Sequence, residues 1–68
     1  MLSFEIIKDG NAIQIDCDQE GLKTLINILE KLKDNATHVH MRRGRELSEH
    51  NPWGREGVSE VIITTGGD

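Results

Sequence analysis

The chain has little of what usually stabilises or advertises a small domain. It has one cysteine, Cys17, so no disulfide closes within it and a zinc site would need several histidines besides. A reducing cytosol suits such a chain, and a cytoplasmic location is expected. Tyrosine is absent, and Phe4 and Trp53 are the only aromatic residues, too few to stack bases. The longest apolar run is three residues, Val61 to Ile63, which excludes a membrane-spanning helix. The opening MLSFEIIKDG has neither the basic nor the long apolar region of a secretory signal. Bases are outnumbered, 8 against 12 acids, and the net charge of −4 disfavours nucleic acid or an anionic membrane and suits a basic protein partner.

The 68 residues amount to a single domain, 1–68. At that size one core gives marginal stability, and self-association is a common remedy. The one helical period lies in Gly21 to Lys33, where Leu22, Leu25, Ile26, Leu29 and Leu32 follow i, i+3, i+4, i+7 spacing and Ile28 widens the stripe. That stripe is the expected core. Asp18 is the expected N-cap, with Asp16 and Glu20 beside it where the helix dipole favours acids. Gly21 costs the first turn about 1 kcal/mol and is expected to serve close packing against a sheet.

The remaining apolar segments are short and read as strands. In Leu2 to Lys8, Leu2, Phe4 and Ile6 share one face; in Ala12 to Cys17, Ile13, Ile15 and Cys17 do. Asp9-Gly10-Asn11 joins them as a hairpin, with Gly and Asn supplying positive φ. Asp34-Asn35 begins the exit from the helix. Thr37 to Arg42 sets Val39 and Met41 against His38, His40 and Arg42. Val58 to Thr65 sets Val61 and Ile63 against Val58, Glu60 and Ile62, and Gly66 to Asp68 reads as a tail. Between them, Arg43 to Gly57 is long for a loop in so small a domain, and such loops are usually functional or mobile. The expectation is a β-β-α-β-β α+β domain, one helix on one face of a four-stranded, mainly antiparallel sheet.

Basic residues are unevenly typed. Lys8, Lys23, Lys31 and Lys33 lie in the first half; Arg42, Arg43, Arg45, Arg55 and all three histidines lie in the second. Arginine suits planar recognition, so the second half is the expected contact surface. Its candidate residues are His38, His40, Arg42, Arg43, Arg45 and Trp53. His38 and His40 share a strand face at a spacing that can hold a metal, with His50 or Cys17 as a third ligand, but two outward polar residues are the more ordinary reading. Trp53 is either a binding anchor or a lid on the core. Arg42-Arg43-x-Arg45 either touches phosphate or pairs with Glu46 and Glu49. Cys17 is more readily a small buried residue than a nucleophile. No catalytic residue, metal or cofactor is assigned.

Glu20-Gly21-Leu22, Leu25, Leu29, His38-x-His40, Leu47-Ser48-Glu49 and Ser59-Glu60-Val61-Ile62-Ile63, in that order and spacing, resemble the immunity protein 32 family of bacterial polymorphic toxin systems. The resemblance implies a small α+β protein that binds and neutralises a toxin, without catalysis. Two other readings stay open beside it: a small metal-binding protein using His38 and His40, and a homodimeric interaction domain whose interface is the strand face opposite the helix.

Overall fold

In a computed structural model that describes residues 1–34 and 37–66, the order is β1 (Leu2–Ile7), β2 (Ala12–Cys17), α1 (Gln19–Asp34), β3 (His38–Arg42) and β4 (Glu60–Thr64). The β-β-α-β-β order holds. The single four-stranded sheet does not form: β1 pairs only with β2, and β3 only with β4, both antiparallel. The cause is the chain between β3 and β4. Ser48 N–H donates to the Leu2 carbonyl at 2.9 Å and Val58 N–H to the Phe4 carbonyl at 2.9 Å, while Leu2 N–H donates to Ser48 Oγ at 3.1 Å. These contacts take up the outer edge of β1, where another strand would have to pair.

The turn of the first hairpin is tight for a different reason from the one expected. Lys8, Asp9 and Gly10 have positive φ, and Asn11 does not. Gly10 N–H donates to the Ile7 carbonyl at 3.1 Å, closing a turn whose two central residues are left-handed and whose twist matches the flanking strands. The expected role of Asn35 in the helix exit and the tail at 67–68 lie outside the described residues.

Helix α1 starts where its cap predicts. Asp18 Oδ1 accepts from the Gly21 amide at 2.8 Å and from the Met1 amine at 2.6 Å. The rotation of the helix differs from expectation. Gly21, Ile28 and Leu32 are buried and Leu25 half-buried, whereas Leu22, Ile26 and Leu29 are exposed. Gly21 explains this: a Cβ there would overlap the Met1 carbonyl oxygen and press on Cys17 Cβ. Because only glycine permits that approach, the helix turns its 21–25–28–32 line inward and leaves the 22–26–29 line out.

The core gathers Leu2 and Phe4 from β1, Ile28 and Leu32 from α1, Met41 from β3, and Leu47 from the connection. Cys17, Leu25, Val39, Val58, Val61 and Ile63 pack around it. Four side chains depart from expectation. Ile6 and Ile13 are the expected inner pair of the hairpin, yet they are 62% and 70% exposed, and Ile15 beyond them is also exposed. Val58 precedes β4 and joins the core instead of lying outward with Glu60 and Ile62. Ser3 and Glu5 lie on the outer hairpin face and are nevertheless buried, because the connection crosses it: a Cβ at Gly57 would overlap Ser3 Oγ, and one at Gly54 would lie 3.2 Å from Glu5 Oε1. Among the described residues that Glu5 oxygen has no hydrogen-bond partner. The long connection is thus a structural layer of the domain.

Candidate protein-binding surface

The β3–β4 register sets His38 opposite Thr64, His40 opposite Ile62 and Arg42 opposite Glu60. Directly opposed residues of an antiparallel pair point to one face, so these six side chains share the face turned away from Val39, Met41, Val61 and Ile63. The inward set is apolar and β-branched or flexible, which fixes the register, because a one-residue slip would bury the charges. The expected outward placement of His38, His40 and Arg42 is therefore the observed one.

Glu60 organises this face. Its Oε2 lies 3.1 Å from His40 Nδ1 and accepts from Arg42 Nε at 2.8 Å. The hydrogen bond with His40, then that with Arg42, hold the Glu60 carboxyl below the usual carboxylate range. The His38 and His40 rings meet edge to face, 5.4 Å between centroids. Ile62 stands among these polar groups, 55% exposed. Glu60 was not among the expected contact residues; its alternation with Ile62 on one strand face was the signal for it.

The other expected contact residues are placed elsewhere. Arg43 turns into the connection, where Nη1 donates to Glu56 at 2.7 Å and Nη2 to the Gly57 carbonyl; it ties the connection down over the hairpin. Arg45 lies in the turn after β3, its Nη2 3.5 Å from Glu46, so of the two pairings expected within the loop the one with Glu46 is present. Gly44, left-handed at φ 84°, starts that turn, and Leu47 N–H closes it onto the Arg42 carbonyl at 3.1 Å. Trp53 is 60% exposed and does not cap the core. Its amide donates to Asn51 Oδ1 at 2.9 Å, and Asn51 Nδ2 donates to Asp16 at 2.8 Å, which fixes the Trp53 turn to the outer hairpin face. So His38, His40 and Arg42 come together, and Arg43, Arg45 and Trp53 do not join them.

Among the described residues no group of three or more His, Cys, Asp or Glu side chains stands close enough to hold a metal ion. Cys17 packs half-buried against the core beside Gly21. No described helix is long and apolar enough to cross a membrane. Comparison with protein families, with curated proteins and with solved structures finds no match to this chain.

Proposed function

We propose that this chain is a cytoplasmic binding protein of the immunity type, which neutralises a basic toxin by occupying it and carries out no reaction of its own. The observation that supports this reading is the outer face of β3–β4: an exposed Ile62 ringed by the His40–Glu60–Arg42 cluster and His38. An apolar centre with a polar rim is the usual anatomy of a protein interface. Charge adds to it. Arg42, Arg43 and Arg45 each pair with an acid of this chain, so the acid excess remains to steer a basic partner. The quoted motif resemblance supports a toxin as the partner class.

The metal-binding alternative would need a third ligand next to His38 and His40, for which the described residues offer no cluster. The homodimeric alternative would place a second copy on the face of Ile62, in competition with the toxin; for self-association the other sheet offers the better surface.

The test is growth rescue. A toxin encoded beside this chain is expressed in a host with and without it. Rescue by the wild type, with at least tenfold weaker binding by Ile62→Asp, is the expected result. Absence of rescue, with no complex on gel filtration, overturns the reading.

A further inference from the structure

The hairpin presents a different surface. The outer edge of β1 is engaged by Ser48 and Val58. Among the described residues no backbone hydrogen bond reaches the outer edge of β2. Natural edge strands are usually guarded by lysine, proline, an inward charge or a bulge. Strand β2, AIQIDC, has none of these. Its one charge, Asp16, lies on the outer face and is tied to Asn51 and Gln14. Ile13 and Ile15 are exposed, and with Phe4, Ile6, Val58, Val61 and one charged residue, Glu60, they line a mainly apolar groove of about 470 Å³. The β3–β4 pair, by contrast, carries imidazoles and charges along its outward face.

We propose that two copies of this chain pair antiparallel along β2, about a twofold axis through Gln14, into one sheet of order β1–β2–β2–β1. The strand is self-complementary about that axis. Ile13 then faces the partner's Ile15, twice by symmetry, and Gln14 faces the partner's Gln14. Ala12 faces the partner's Asp16, so no like charges are opposed. This self-complementarity is the argument for a second copy as the occupant. A stable dimer needs about 800 Å² from each protomer, about a sixth of the 5046 Å² this chain exposes. The edge and the groove are the apolar reserve from which that area is drawn. The pairing edge belongs to β2 and the toxin face to β3–β4, although Glu60 and Val61 of β4 also border the groove.

Sedimentation equilibrium of the full chain, with the far-UV circular dichroism of each variant as a fold check, tests it. Wild type is expected to dimerise in the micromolar range. Ile13→Lys is expected to raise the dissociation constant at least tenfold, and Ile62→Lys to leave it within about twofold. Should Ile13→Lys fail to fold, cross-linking decides. Gln14→Cys in a Cys17→Ser background puts two thiols opposite one another at the axis, in a non-hydrogen-bonded pair with Cα atoms about 4.5 Å apart, which a disulfide can span, and mild oxidation should yield a covalent dimer. A single 7.6 kDa species throughout, a dimer broken by Ile62→Lys and spared by Ile13→Lys, or no cross-link in a folded Gln14→Cys chain overturns the proposal.

Discussion

The two strand pairs, with strands of six and of five residues, are both antiparallel and differ in how they are finished. The β1–β2 pair is joined by a four-residue turn, is buried on its outer face by the connection, and leaves aliphatic side chains in the open on its inner one. The β3–β4 pair is joined by residues 43–59, buries its apolar face, and closes its outer face with a carboxylate shared by two cationic or polar neighbours. One pair has its charges satisfied and its core face covered. The other has a surplus of apolar surface and, at Glu5, a carboxylate oxygen without a partner. Charged groups therefore do more than confer solubility here: they mark which sheet the fold treats as finished.

The contrast breaks most severely at the residues that join the two pairs. Met41 is fully buried, and Leu47 nearly so, beneath both. Met41→Ala or Leu47→Ala should cost about 2–5 kcal/mol, a large share of the roughly 5 kcal/mol such a domain holds, and thermal melts should find either variant largely unfolded. Next is Gly21→Ala. Alanine would gain about 1 kcal/mol of helix propensity, yet its Cβ overlaps Met1, so we expect a net loss of about 1–3 kcal/mol; a more stable variant would show that the helix does not depend on that approach. Glu5→Gln removes a charge buried without a partner at Oε1 and should raise stability by about 1–2 kcal/mol in urea titrations.

Acid should act on both halves of the fold. The Glu60 carboxyl is lowered by His40 and Arg42, and the Asp18 carboxyl by the Met1 amine and then the Gly21 amide. A depressed carboxylate contributes stability that is present above its unfolded value, about 4, and lost as pH falls through the lower folded value. Stability should therefore fall with pH below about 4, and Glu60→Gln should flatten that slope. The smallest effects belong to the surface. Leu29→Ala and His40→Ala should each shift monomer stability by no more than about 0.5 kcal/mol, although the periodicity alone makes Leu29 a core residue.

That last case shows what the amino-acid pattern carries and what it does not. The hairpin, the Asp18 cap, the extent of α1 and the outward histidines were legible, because each depends on neighbours two to four residues away. The rotation of α1 was not. Six aliphatic residues cover so wide an arc that either edge can face inward, and the choice falls to a contact between Gly21 and Met1, twenty residues apart. The division into two sheets was also hidden, since Ser48 and Val58 reach β1 from a stretch with no period of its own. Leu47 is a single apolar residue among polar ones, and nothing near it announces its burial. On the outward face of β3–β4, Ile62 and Glu60 were readable from alternation, whereas the inward turn of Arg43 depends on Glu56 and Gly57, more than ten residues on.

The connection has one more consequence, in time. The first hairpin and α1 close through local contacts, which form in microseconds. Pairing of β3 with β4 must await closure of residues 43–59, and the docking of that connection on Leu2 and Phe4 joins residues more than forty apart. Contacts of such separation are slow to form. Mutations at Ser48, Gly57 or Val58 should therefore speed unfolding more than they slow folding, the signature of a segment that consolidates after the transition state. During that interval the bare edges of both hairpins are open at once, and a chain emerging at high concentration is then most exposed to mispairing with its neighbours.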